Sequence, residues 1–155
     1  MKWITRERPK VDRVACPWLI ERFIDRDAEF LFAPPERVMQ IAREMDAVPY
    51  DVEGVDLSHD GPLCSFDALL KRYELDDPAL NSLAVIVRGA DTARLDLAPQ
   101  CAGLLAISLG LSRIYSDDQE QVRRGMLVYD ALYEWLRAGQ EETHTWNPQA
   151  STIPS

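Results

Sequence analysis

The chain is poor in the residues from which most recognisable active sites are built. Its 155 residues include two histidines, His59 and His144, which argues against a histidine-based triad. The three cysteines, Cys16, Cys64 and Cys101, are odd in number and contain no Cys-x-x-Cys pair. That pattern fits a reducing compartment better than a disulfide framework. There is no Gly-rich phosphate loop, no Gly-x-Ser-x-Gly elbow and no His-Glu-x-x-His, so three common routes to catalysis are closed. No apolar run reaches membrane-spanning length, and Met1-Lys2-Trp3-Ile4-Thr5-Arg6 lacks a signal-peptide core. The expected location is therefore cytoplasmic. Positive charge is scarce too: 17 Lys and Arg stand against 26 Asp and Glu, for a net charge of −9. An acidic chain of this kind is expected to bind neither nucleic acid nor an anionic membrane.

What is present fits one domain over residues 1–139, followed by a poorly ordered tail over 140–155. Hydrophobic content of 46% and charged content of 28% are ordinary for a globular chain. The N-terminal stretch departs from the average. Lys2, Arg6, Arg8, Lys10 and Arg13 outweigh Glu7 and Asp12 there, either to solvate the terminus or to meet an anion.

Periodicity and punctuation predict an α+β fold, mainly α, of about six helices with a small two- or three-stranded sheet in the N-terminal half. Lys2–Thr5 reads as an edge strand with Trp3 inward, and Glu29–Ala33 as a buried strand. Val48–Val52 reads as a further strand, placed at an edge by Pro49. Proline is expected to open helices at Pro17, Pro35, Pro78 and Pro99. Ser65 is expected to cap a helix, and Ser116-Asp117-Asp118-Gln119 reads as a capping box for the last one. Gly89 and Gly139 are expected to stop the helices before them. The run through Ala102, Leu104, Leu105, Ile107, Leu109 and Leu111 is apolar nearly all round and predicts a central buried helix.

The densest polar chemistry lies in Val11–Phe23. With Pro17 at the first helical turn, Cys16 falls at the N-cap, where the dipole with Arg13 and Arg22 nearby favours a thiolate. Cys16 is thus the candidate nucleophile, against the alternative of a small core residue beside Trp18. His59 and Cys64, five apart in an irregular loop with Asp60 between and Asp67 just beyond, are candidate ligands for a divalent transition metal, with a fourth donor from Cys16 or Asp91, against the alternative of a locally hydrogen-bonded loop His and a core Cys. Arg13, Arg22 and Arg88 suggest a guanidinium pocket for a tetrahedral oxyanion, with Asp12 and Asp91 as its polar neighbours. Structural ion pairs with Asp12, Asp51 and Asp91 explain the same residues without a ligand.

Several blocks together resemble the C-terminal domain of the chromate-resistance protein ChrB. They are Lys2–Arg6, Val11–Arg13, Cys16–Ile20, Arg22-Phe23, Ser58-His59, Leu63–Asp67, Ile86–Asp91 and Ala102–Leu111. The resemblance runs from Lys2 to about Arg137 and implies a role in chromate resistance or chromate-responsive regulation. A DNA-binding role carried by another domain does not transfer with it, and it implies no particular catalytic residue. The expected function is a domain that binds a small oxyanion or a metal, for sensing or detoxification. The alternative is a thiol- or metal-dependent enzyme: a reductase, a sulfurtransferase accessory or a hydrolase. Oligomeric state is left open.

Overall fold

The computed structural model describes residues 1–144, and most of the expected tail, from residue 145 on, lies outside the described residues. Lys2–Arg6 forms β1, Glu29–Ala33 forms β2 and Ala47–Pro49 forms β3. All are parallel, in the order β2-β1-β3, with Trp3 opposite Phe30 and Val48. The fold is α+β and mainly α, as the pattern of elements predicts. β1 is central rather than at an edge, and its core Trp3, Ile4 and Thr5 are fully buried. A strand buried on both faces reads as a continuous run, which is why three consecutive inward residues gave no alternation.

Helix α1, Asp12–Leu19, connects β1 towards β2 and begins five residues before Pro17. Pro17 sits inside it, where its missing N–H leaves the Arg13 carbonyl without a helical partner. Ile20–Ile24 continues α1 as a wider turn, closed by Asp25 N–H donating to the Ile20 carbonyl at 2.7 Å. A short 3-10 turn, Pro35–Arg37, leads into α2, Val38–Met45, and so to β3. After an irregular loop come α3, Ser65–Arg72, and α4, Pro78–Asp91. Then follow α5, Cys101–Ile114, and α6, Asp118–Glu134, which ends in a wide turn over Trp135–Gly139. Among the described residues no helix is long and apolar enough to cross a membrane.

Aromatic packing fixes α1 against α3 and α6. Trp18 is 1% exposed and stacks on Phe66 at 6.4 Å, with Phe23 and Tyr133 each at 5.6 Å. A side chain of this size buried against three rings stabilises by about 3–5 kcal/mol over alanine. Its indole N–H donates to Asp130 at 2.7 Å, so burial leaves no polar atom orphaned.

Two helices, α4 and α5, differ from expectation for packing reasons. α4 runs past Gly89 to Asp91 because Gly89 is a contact residue, not a stop: a Cβ there would meet Cys101 Sγ at 2.3 Å. α5 is not central. Cys101, Leu104, Ser108 and Ser112 are buried, while Ile107, Leu109 and Ile114 face outward.

Candidate metal centre

The carboxyl ends of β1 and β3 point to one side, the usual place for ligands on parallel sheets. Beyond β1 the chain turns through Val11, whose φ of 43° is a strained value for a β-branched residue, and enters α1 at Asp12. Beyond β3 it passes Tyr50 and reaches Asp51, also left-handed at φ 49°. Two strained residues flanking one polar cluster are the pattern of a site whose geometry is imposed by its surroundings.

Asp12 is fully buried. Its Oδ2 accepts from Ser65 N–H at 2.8 Å and its Oδ1 from Phe66 N–H at 3.1 Å, so the carboxylate sits on the free N-terminus of α3. Cys16 Sγ donates to Oδ1 at 3.2 Å. Asp51 Oδ1 accepts from Ser65 Oγ at 2.8 Å, and its Oδ2 meets Arg6 at 3.0 Å and Arg13 Nε at 3.4 Å. Asp91, at the last turn of α4, accepts from Asp12 N–H at 3.4 Å.

His59 closes the group. Its Nε2 lies 3.0 Å from Asp91 Oδ2, 3.3 Å from Asp51 Oδ1 and 3.7 Å from Asp12 Oδ2. One ligand atom each from Asp12, His59 and Asp91 fall within 4.8 Å of one another. Ligands held at about 2.0–2.2 Å from a common ion sit roughly 3–3.5 Å apart, and the His59 Nε2 separations from Asp91 and Asp51, at 3.0 and 3.3 Å, lie in that range, with Asp12 slightly beyond it at 3.7 Å. Three carboxylates and one imidazole form a hard-to-borderline set, favouring Mn²⁺, Fe²⁺ or Zn²⁺ over a soft ion. His59 is 40% exposed and lines a cleft of about 420 Å³ with Arg6, Asp51, Glu53 and Ser58, so the cluster opens to solvent on that side.

The electrostatics show the tension in the cluster. Burial, then repulsion from Asp91 and Asp51, pushes the Asp12 pKa well above the usual carboxylate range. Burial and then Asp51 raise Asp91. Burial and then Arg6 lower Arg13, so the nearest guanidinium is itself desolvated. The Tyr50 hydroxyl is fully buried without a hydrogen-bond partner, and its pKa is raised by burial and by neighbours that include Cys16, Asp51 and Asp12. An orphaned polar atom beside crowded carboxylates is what a cation with its hydration would relieve.

The other sequence candidates lie elsewhere or do other things. Cys16 is inside α1, not at an N-cap, because α1 starts at Asp12. Burial and the charges of Asp12 and Asp51 raise its pKa well above that of a free thiol, opposite to the thiolate expectation. Cys64 is the N-cap of α3. Its N–H and Sγ both donate to Asp67, at 3.0 and 3.3 Å, and burial raises its pKa. It lies beside the donor cluster rather than in it. The guanidinium pocket does not form. Arg13 reaches Asp51, Arg22 grips Asp130 and Glu21, and Arg88 forms a two-point pair with Asp67 at 2.9 and 3.0 Å. Each arginine is drawn to a carboxylate on its own element's neighbour. The basic N-terminal stretch is used internally as well, with Arg8 donating to the Ser112 and Ser116 carbonyls.

Asp51 and Tyr50 are not among the site residues the sequence suggests, because it places them inside a strand over Val48–Val52, whereas β3 ends at Pro49 and leaves them at the sheet's carboxyl edge. Residues 3–136 match the family described as ChrB, C-terminal domain. The chain belongs to the ChrB C-terminal domain family. It is 35% identical over 133 residues to Protein ChrB of Cupriavidus metallidurans (strain ATCC 43123 / DSM 2839 / NBRC 102507 / CH34), covering 85% of this chain and 40% of that protein. No solved structure matches. In this ChrB C-terminal domain, Asp12, His59 and Asp91 fall inside the matched region and in three separate segments of it.

Proposed function

We propose that this domain serves chromate resistance by binding a divalent transition-metal cation through Asp12, His59 and Asp91, with Asp51 as a fourth donor. The family supports the chromate-resistance role. The observation that carries the cation is the convergence of three carboxylate oxygens on His59 Nε2 at 3.0, 3.3 and 3.7 Å, around a fully buried Asp12. A bare oxyanion is disfavoured at the same place, since the local carboxylates outnumber Arg6 and Arg13. The cleft beside His59 gives the cation an open side, which favours metal-assisted chemistry as the second reading over thiol chemistry at buried Cys16.

Titration calorimetry of the metal-stripped protein with Mn²⁺ and Zn²⁺ tests this, expecting one site per chain. His59→Ala, at a half-exposed position, weakens binding roughly tenfold to a hundredfold, as loss of one ligand does, and leaves the fold intact. No saturable binding, or binding unchanged by His59→Ala, sinks the proposal. Turnover of ester or phosphoester probes by the loaded protein, lost in the same variant, would favour the second reading.

The pH dependence has a definite sign. Asp12 and Asp91, with raised values in the fold, stabilise the cation-free protein below the unfolded carboxylate range near 3.8, and that stability is lost as pH rises through the raised values. A cation takes the deprotonated carboxylates, so affinity increases with pH over the same window and binding releases protons. Affinity that does not rise as pH increases above the unfolded carboxylate range near 3.8, measured in buffers of different ionisation enthalpy, would contradict the assignment of buried Asp12 as a ligand.

A further inference from the structure

We infer that α5 pairs with α5 of a second copy of this chain, antiparallel about a twofold axis, making the protein a symmetric dimer. On α5 the residues Gly103, Ile107, Gly110 and Ile114 recur at intervals of four, three and four, so they form one narrow face. That face is open. Ile107 is 49% and Ile114 71% exposed, and a Cβ added at Gly103 or Gly110 meets nothing within 4 Å. Ala102 and Ala106 flank it and are exposed as well. An apolar stripe of this size on a helix calls for a partner.

Two observations choose a second copy as that partner. The first is charge. The chain carries a net charge of −9, yet no Asp or Glu occurs from Leu97 through Ser116, and Arg113 is the one charged residue of α5. Two acidic copies repel over most of their surfaces, and this helix is a window where they approach without opposed carboxylates. The second is self-complementarity. In an antiparallel pair with its axis midway between Ile107 and Gly110, Ile107 of one copy faces Gly110 of the other, and Ile114 faces Gly103. Each branched side chain meets a glycine, on both sides of the axis and in both directions. An isologous contact requires a residue order that maps onto itself in this way, and a heterologous partner gives no reason for it. Glycine at the facing positions also permits the close helix approach that buries the isoleucines.

Light scattering with size-exclusion chromatography, over a wide concentration series of the full chain, should give a dimer. Gly110→Ile sets two branched side chains against each other and should raise the dissociation constant roughly tenfold or more. Ile107→Gly leaves a hole and should weaken the dimer comparably. The exchanged pair, Ile107→Gly with Gly110→Ile, faces each glycine with an isoleucine again and should recover most of the affinity lost in either single variant. Both positions are open in the protomer, so circular dichroism should show the helical fold retained in all three variants. A monomeric wild type overturns the inference. So does a dimer indifferent to both single variants, or one that the exchanged pair fails to restore, since each places the interface elsewhere or leaves this face to a different partner.

Discussion

Asp12→Ala lowers the unfolding free energy by about 2–4 kcal/mol and removes cation binding altogether. The loss has two parts. Ser65 and Phe66 each donate a backbone N–H to Asp12, at 2.8 and 3.1 Å, in a fully buried setting. Leaving such donors unpaired costs about 1–3 kcal/mol apiece. Against this stands relief of the repulsion with Asp91 and Asp51 that raises the Asp12 pKa. The N–H groups win because Asp12 caps α3 whether or not the carboxylate is ionised, whereas the repulsion is felt only by the ionised form. Asp12→Asn does little better than alanine, since its NH₂ must face either the Ser65 or the Phe66 N–H. Urea denaturation of cation-free protein isolates the capping part. Repeating it with saturating Mn²⁺ should leave the variant unchanged while the wild type gains about 2.7 kcal/mol at a hundredfold excess over its dissociation constant. An Asp12→Ala protein as stable as wild type would show that repulsion within the cluster offsets the cap completely.

Gly89→Ala should destabilise by about 1–3 kcal/mol, although the same change in an exposed helix gains about 1. The added Cβ would fall 2.3 Å from Cys101 Sγ and 2.7 Å from the Arg94 carbonyl oxygen. The thiol can swing aside, but the Arg94 carbonyl belongs to the turn that follows α4 and accepts from Leu97 N–H at 3.1 Å, while Arg94 N–H donates to the Gly89 carbonyl at 2.9 Å, so the backbone must shift. Cys101→Ala should therefore rescue Gly89→Ala only in part. Thermal unfolding of the two single variants and the double variant measures the coupling, and complete rescue would show that the sulfur alone sets the contact. Asp91 lies two residues beyond Gly89, so the same shift should also weaken cation affinity.

The two predictions turn on residues that the sequence rendered unequally. Asp77-Pro78 marked the start of α4 correctly, because a capping Asp followed by proline is a local signal, and Asp77 accepts from both Ala79 and Leu80 N–H. Gly89 looks like a stop for the opposite reason: a glycine needed for contact with α5 is indistinguishable in sequence from one needed for a left-handed turn. β1 and β2 were legible as short apolar runs, but the central place of β1 depends on pairings some 27 and 45 residues away. At the site, His59 and Asp91 stood out as unusual polar residues at loop and helix ends, and Asp12 as part of a polar block. That they meet is a product of the parallel sheet, which no spacing records. The guanidinium pocket was a reasonable inference from three arginines in an acidic chain, yet Arg22 and Arg88 each found a nearer carboxylate in Asp130 and Asp67. Cys16 lies inside α1 rather than at its N-cap because Pro17, a common helix opener, here sits in the helix interior.

The donors Asp12, Asp51, His59 and Asp91 arrive from segments separated by as much as 79 residues along the chain. Closing loops of that span adds to the entropic cost of folding, and the donor set exists only once all four segments are in place. A ligand recognised by such a set has little to hold in the transition state. It would therefore act as a latch: the rate at which the chain finds its fold is left nearly as it was, and the rate at which the finished fold comes apart falls in proportion to occupancy. The lifetime of the folded molecule, and with it resistance to proteolysis, becomes a readout of cation supply.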